Sequence, residues 1–375
     1  MLLTIALGIL WLLIALLVLF TFVSFLKIPH GLVRGPEFAR VQWMFVAAIL
    51  AVPVWFAMDG TPRLVALVLL AATLVTNAVF VGKFTPLWPR QSLDPSAALR
   101  ADTDRHLSIL ASNIKMSNRE YHRIIDVARN RDPDILIVIE TDGDWIEALR
   151  PLHENFETVH EIDLDTGYGM VLMSKLPLRG LAVREVITEG VPSIRTAVEL
   201  RDGTPIRLYV VHPEPPIASH DTKGRDGEIA RAGLEARDDT LPAIIAGDLN
   251  DVAWSSTTRR FQRLSGLLDP RVGRGFFSTF NVDWPPFRWP LDHLFHGPQF
   301  RLVSLERLSD VGSDHFPVIF TLALDRTETD TASSPEDAES DEEEDVEEMI
   351  AEEQASDREA IGSDWEDEEE GGKKD

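Results

Sequence analysis

The sequence predicts an α+β layered sandwich, with three membrane-spanning helices ahead of it and a disordered acidic tail behind it. Three observations carry this reading. Long uncharged apolar runs crowd the first 85 residues, and many short β-prone runs with few helical stretches fill residues 105–325. The formal charge, −25 over 375 residues, is spread very unevenly. Residues 1–99 carry 6 basic and 3 acidic side chains, residues 100–325 carry 26 and 35, and residues 326–375 carry 4 and 23. The chain thus divides into an anchor (1–85), a linker (86–104), a globular domain (105–325) and a tail (326–375). With 45% apolar residues there is material for a substantial core. The absence of cysteine excludes disulfides, thiolate metal sites and cysteine nucleophiles, and leaves the redox compartment open.

Leu2–Leu26 is 25 residues without a charge, more than the roughly 20 a helix needs to cross a bilayer. It lacks the basic start, short apolar core and small-residue cleavage site of a signal peptide, and reads as an anchor. Val41–Met58 and Leu64–Val81 are uncharged runs of 18 residues joined by Asp59-Gly-Thr-Pro62, which predicts a helical hairpin. Asn77 in the third span reads as a hydrogen bonder between helices. Three spans place the first loop and everything after residue 82 on one side. Lys27, Arg34 and Arg40 lie in that loop, and Lys83 and Arg90 follow the third span, against Arg63 in the second loop, so the basic-residue count places the large domain in the cytoplasm.

In the middle region, strand candidates are 107–113, 134–140, 169–174, 181–186, 195–200, 206–212, 243–246, 291–295 and 315–324, and helical spacing marks 119–130, 221–239 and 255–264. From Thr327 onward, runs such as Asp341–Asp345 and Glu366–Glu370 leave almost no large apolar residues to offset the entropy of ordering, which predicts a solvating, disordered tail.

The polar residues of the middle region are not scattered. Asn113, Glu140, His212, Asp248 with Asn250, Asp292, and Asp314 with His315 fall at strand ends or open the next strand. Singly, each has an ordinary role open to it: Glu140 as a strand cap, Asp248 and Asn250 as turn formers after Gly247, Asp314 as a turn residue, His212 as a structural histidine. Together, carboxylates, carboxamides and imidazoles without cysteine suit a hard cation, magnesium or manganese, better than zinc. A divalent cation beside a His–Asp pair is equipment for phosphoester hydrolysis.

Six blocks carry a family resemblance: "ASNIK" (111–115), "PDILIVIE" (133–140), "VVHPEPP" (210–216), "IIAGDLND" (244–251), "PLDHLF" (290–295) and "GSDHFPV" (312–318). In their order and spacing the chain resembles the endonuclease/exonuclease/phosphatase superfamily over about residues 105–324. With its three spans it looks like the membrane-anchored bacterial subgroup. The resemblance implies a four-layer αββα sandwich like that of pancreatic deoxyribonuclease. It implies Glu140 as principal metal ligand, with Asn113 and Asp314 in the metal and phosphate environment. Asp248 would orient or activate the attacking water, Asn250 and His212 would contact the phosphate, and His315, its ring held by Asp292, would act as base or phosphate stabiliser. The glutamate that pairs with the first histidine in secreted relatives has no evident counterpart. Arg195 is open to phosphate contact or a salt bridge, and Tyr168, Trp254 and Trp284 to the cleft or the core.

The domain's net −9 and the tail's −19 argue against extended nucleic-acid binding, while "WPPFRW" (284–289) suits a lipid-borne substrate near a bilayer. The leading expectation is a multi-pass protein of the cell (inner) membrane that hydrolyses a lipid-linked phosphate or pyrophosphate with magnesium or manganese. The alternatives are a nuclease of the same fold and a non-enzymatic scaffold. The implied partners are a phosphorylated substrate, lipid-linked or nucleic acid, and the bilayer; no obligate protein partner is inferable from the sequence. Resemblance to the anchored subgroup implies an outward-facing domain, opposite to the basic-residue count.

Overall fold

The structure, a computed structural model, describes residues 1–326 and 334–363. Three helices long and apolar enough to cross a membrane lead the chain: α1 (Leu2–Phe22, continued by a turn of 3-10 helix), α3 (Arg40–Ala57) and α4 (Gly60–Gly82). Between the first two lies α2 (Gly31–Phe38), too short to span. The three long helices pack through Ile14, Ala47, Val54 and Ala66 and keep many large apolar side chains outward, as Phe56 and Val79 do. In water that outward surface has no cover; in lipid it needs none. Asn77 does tie helices together, donating to Thr21 Oγ1 (3.3 Å) and accepting from Arg40 Nη1 (3.3 Å).

The linker is not loose: it holds a short helix, α5 (Ala97–Ala101), and buries Gln91 and Ser92, which bond to Asp269, Gln262 and His296 of the domain. Then follow β1 (His106–Asn113), α6 (Tyr121–Arg131), β2 (Ile135–Ile139), α7 (Gly143–Leu149), β3 (Thr158–Ile162), β4 (Met170–Ser174), β5 (Leu178–Glu185), β6 (Pro192–Glu199), β7 (Pro205–Val210), α8 (Lys223–Asp238), β8 (Ala243–Asp248), α9 (Ser256–Ser265), β9 (Asp292–His296), β10 (Phe300–Arg307) and β11 (Val318–Leu324). One sheet has the order β10-β11-β1-β2-β4-β3, the other β5-β6-β7-β8-β9. Their facing sides interdigitate Ile109, Ile137, Leu172, Leu208, Ile244 and Phe320 in one core. α6 and α7 cover the outer face of the first sheet, α8 and α9 that of the second. Both faces of β2, β4 and β8 are buried, which is why these strands read as unbroken apolar runs. The result is the expected αββα sandwich.

Part of the tail departs from the expected disorder. Glu342–Gln354 forms α10, which seats Val346, Met349 and Ile350 against Ile187, Ala230, Leu234 and Leu264. An i, i+3, i+4 apolar triplet among thirteen residues is enough to dock a helix on a prepared surface. The acidic run Glu366–Glu370 lies outside the described residues.

Candidate active site

Pairing registers bring distant residues to one rim. β1 and β2 run parallel with Asn113 opposite Ile139, so Asn113 lies beside Glu140. β11 runs antiparallel to β1 with Val318 opposite Ala111, which carries Asp314 and His315 to the end of β1. In the second sheet Val210 of β7 pairs with Ala246 of parallel β8, putting His212 beside Asp248. Asp248 in turn pairs with Asp292 across β8 and β9. The site thus straddles the mouth between the two sheets.

Local backbone fixes the aim of the side chains. Gly247 has φ of 143°, and a Cβ there would lie 1.9 Å from the Val211 carbonyl oxygen, so the approach of β8 to β7 just before Asp248 requires glycine. Glu140 and Asn250 occupy the left-handed region, with φ of 62° and 51°, a cost that non-glycine residues tend to bear at functional sites. Asn250 is held there by its N–H on Asp248 Oδ1 (2.9 Å) and its Nδ2 on the Pro213 carbonyl (2.9 Å).

Asn113 Nδ2 donates to Glu140 Oε1 (2.5 Å) and to Asp248 Oδ2 (3.1 Å), linking the two sheets. His315 Nδ1 faces Asp292 Oδ2 at 2.8 Å, and its Nε2 lies 3.6 Å from Asp248 Oδ2. His212 Nε2 is 3.9 Å from Glu140 Oε1, and its ring lies 5.6 Å from that of Tyr168. Ser313 Oγ donates to the Asn113 carbonyl (2.9 Å) and accepts from the His315 N–H (3.0 Å).

Burial raises the Glu140 carboxyl to about 8; Asn113 opposes this, while Asp314 and Asp248 add to it. At His315 burial favours the neutral ring, but the Asp292 and Asp248 carboxylates overcome it and push the imidazole up to about 10. Burial lowers His212, and the nearby His315 acts in the same direction. At neutral pH the arrangement therefore holds one imidazolium and one neutral imidazole.

Glu140, His212, Asn250, Asp314, His315 and Lys115 line a cavity of about 470 Å³. Asn113, Asp248 and Asp292 stand behind them, buried. The same cavity has an apolar lining as well, made by Phe38 of α2 with Phe280, Trp289 and Leu291, the Phe280 ring lying 4.9 Å from that of His315.

Two groupings bear on a cation. Ligand atoms of Asp248, Asp292 and His315 lie within 4.8 Å of one another. That trio is held by a protonated ring between two carboxylates, and a metal ion would compete with the imidazolium. Glu140 and Asp314 offer carboxylate oxygens toward the cavity, with Asn113 behind them, its Oδ1 accepting from the Lys115 N–H (3.0 Å), and a divalent cation there would offset the burial that raises Glu140. The second set fits magnesium or manganese better.

All eight residues expected at the site meet at this rim. Tyr168 also lines the cavity. Arg195 does not: it pairs with Asp239 at 2.8 Å. Trp254 belongs to the core beside Val81 and Phe84, and Trp284 is exposed and not part of the cavity wall. Lys115, whose Nζ is 3.7 Å from Asp314 Oδ2, and Ser313 were missed. Each sits inside a quoted block, and only the fold shows that their side chains face the site or brace it.

The Endonuclease/Exonuclease/phosphatase family matches residues 110–315, more than half of the chain, an interval that contains all eight. Among solved structures, a humanized form of the D. rerio TDP2 protein aligns with a TM-score of 0.50 and 15% identity, over 58% of this chain and 99% of that one, which shows a shared fold. An endonuclease/exonuclease/phosphatase from Beutenbergia cavernae aligns at 20% identity over 59% and 72% of the two chains, with a TM-score of 0.46. The human Nocturnin catalytic domain with bound sulfate aligns at 14% identity over 63% and 97%, with a TM-score of 0.48. No curated protein sequence matches the chain.

Proposed function

Since the chain belongs to the endonuclease/exonuclease/phosphatase family, whose members hydrolyse phosphoester bonds, we propose that it is a membrane-anchored, divalent-metal-dependent phosphohydrolase or phosphodiesterase acting on a lipid-linked phosphate or pyrophosphate. The observation that carries the lipid reading is the shared cavity: Phe38, from the segment between the first two apolar helices, faces the same space as Glu140 and His315. Trp289 stands beside it, its ring 5.9 Å from that of Phe38. The loop before Trp289 leans on α3, with Gln42 Nε2 donating to the Pro286 carbonyl (2.7 Å), and exposes Trp284 and Phe287. An apolar chain thus meets an apolar wall while its phosphate meets the polar rim. The domain's net −9 supports the same choice over a long polyanion.

Glu140, with Asn113 and Asp314, would hold the ion, which when bound neutralises phosphoryl oxygens. Asp248 accepts the proton of the attacking water. His315, kept protonated by Asp292, donates to a phosphoryl oxygen as charge develops. Asn250 and neutral His212 orient the phosphate, and Lys115 adds positive charge at the rim.

The test uses the full chain in nanodiscs with magnesium, offered prenyl phosphates, prenyl pyrophosphates and phospholipids on one side and plasmid DNA on the other. Release of phosphate from lipid substrates supports the proposal. DNA cleavage that weakens steeply with salt, without release from any lipid, replaces it with the nuclease reading. The location we propose is the cell (inner) membrane. A reporter fused to the C-terminus and active on one side only separates envelope lipid carriers from cytoplasmic substrates.

A further inference from the structure

A second cavity, of about 550 Å³, lies where the apolar helices meet the domain. Its walls are the end of the first span (Ser24–Lys27), α2, α9 and α10. Seven cationic side chains line it, among them Lys27, Arg34, Arg40, Arg259, Arg260 and Arg263. Six carboxylates face them, and five of these six belong to the tail, between Glu339 and Glu352; the sixth is Glu37. Among the lining groups the balance without the tail is seven positive against one negative; with buried Asp226 behind Arg34 (3.9 Å) counted as well, most of these cations still lack a counter-charge unless an anion enters.

The tail now supplies that anion. Arg263 Nε donates to Glu342 Oε2 (2.9 Å), Lys223 Nζ to Glu352 Oε2 (2.6 Å) and Lys27 Nζ to Glu339 Oε2 (3.3 Å). Arg260 is not satisfied in this way: its Nη2 is buried and has no hydrogen-bond partner among the described residues. A guanidinium fork in a cavity with four further arginines matches the several acceptor oxygens of a phosphate better than single carboxylates can. Position selects the carrier of that phosphate. Phe25 and Leu26, at the end of the first span, stay half-exposed beside the cavity, which sets it at the depth of lipid headgroups.

Apart from the ion pairs in the cavity, α10 is held by Val346, Met349 and Ile350, by Arg237 pairing with Glu343 (2.8 Å) and by Gln354 Nε2 donating to the Val186 carbonyl (2.8 Å), and a helix of 13 residues has little stability of its own. Past α10 the chain runs to the first cavity. Arg358 grips buried Glu214 with two bonds of 2.7 Å, Tyr168 Oη donates to the Ile361 carbonyl, and Ile361 and Gly362 form part of the active-site wall.

We propose that the arginine-lined cavity at the membrane junction binds the phosphate of an anionic lipid headgroup, and that the acidic tail occupies it as an internal substitute, so that headgroup entry and tail docking exclude each other. Headgroup binding then loosens the segment that reaches the active-site wall. The inference does not depend on the chemistry at Glu140.

The experiment measures amide hydrogen exchange of residues 342–354 in the full chain, in nanodiscs of phosphatidylcholine alone or with phosphatidylglycerol. Exchange rises about tenfold with phosphatidylglycerol, a usual size for coupling between two sites, and inorganic phosphate in phosphatidylcholine discs does not reproduce the rise. Arg260→Gln, at a side chain with no direct bond to the tail, keeps the slow exchange in phosphatidylcholine and loses the response to phosphatidylglycerol; if it does not fold, Arg259→Gln is read the same way. Equal exchange in both bilayers overturns the proposal. So does an equal effect of inorganic phosphate, or an intact response in the variant, which would mean simple repulsion of the acidic tail by the charged surface.

Discussion

Asp292 holds His315 from behind: its Oδ2 lies 2.8 Å from Nδ1 of the ring, while Nε2 turns toward Asp248 Oδ2 at 3.6 Å. The pair sits on different sheets, so the sandwich must close before the ring is oriented. The imidazole, raised to about 10 by these two carboxylates against the effect of burial, stays protonated through neutral pH in the absence of metal. A folded-state value above the unfolded one stabilises the fold below about pH 6.5 in full and loses that contribution as pH rises toward 10. Asp292→Asn removes the charge. NMR titration of the His315 ring then shows its midpoint falling by at least a unit, and turnover falling about 100-fold or more. A wild-type ring titrating near 6.5 would sink this reading.

Glu140 acts in the same direction, over a lower pH window. Its carboxyl is raised from 4.5 to about 8, so the metal-free fold holds a proton that the unfolded chain releases, and stability declines as pH rises across that window. The side chain keeps 24% exposure, and water trims the effect. Glu140→Gln flattens the decline in thermal unfolding curves without metal, and costs about 100-fold or more in turnover. Added magnesium stabilises wild type increasingly between pH 5 and 8 and leaves the variant unmoved. Equal magnesium stabilisation of both would remove Glu140 from the metal site.

Trp289→Ala tests the apolar wall without touching the polar rim. For a prenyl phosphate, KM rises about tenfold, the equivalent of roughly 1.4 kcal/mol of lost apolar contact. For a short water-soluble phosphoester, kcat/KM stays within about twofold. A uniform loss on both substrates would mean that Trp289 shapes the site rather than the lipid path.

Arg40 and Glu37 form an ion pair at 3.2 Å with each side chain 2% exposed. Arg40→Met leaves Glu37 buried without this partner and destabilises the junction by about 3 kcal/mol or more. Replacing both with apolar residues recovers part of that loss in unfolding measured in detergent. Because Glu37 also accepts from Ser256 (3.0 Å), recovery is incomplete. A single variant as stable as wild type would show that the pair contributes nothing.

The site was legible because its residues end buried strands. An unbroken apolar run that stops on Glu140 or Asp248 marks both the strand and its polar end. β3 and β10 were not legible, since both are edge strands with polar, half-exposed positions that blur the alternation. The acidic composition of α10 predicts disorder, although Val346, Met349 and Ile350 carry helical spacing; what decides is the apolar surface of α8 waiting for them, which no local pattern displays. Ser313 braces the ends of two strands through Asn113, and no sequence signal singles out such a brace.

The junction between apolar helices and domain is stitched rather than hinged. Glu37 bonds the Ser256 N–H, Trp254 Nε1 donates to the Glu37 carbonyl (2.8 Å), Gly31 N–H donates to the His220 carbonyl (2.9 Å), and Arg34 lies 3.9 Å from Asp226. If the apolar helices stand in a bilayer, the rim of polar residues is locked at one height above it. The molecule then works as a depth gauge: a substrate is accepted for how far its phosphate stands out from the lipid as well as for the phosphate itself, and lengthening the spacer between the two by a few bonds moves the reacting atom out of reach.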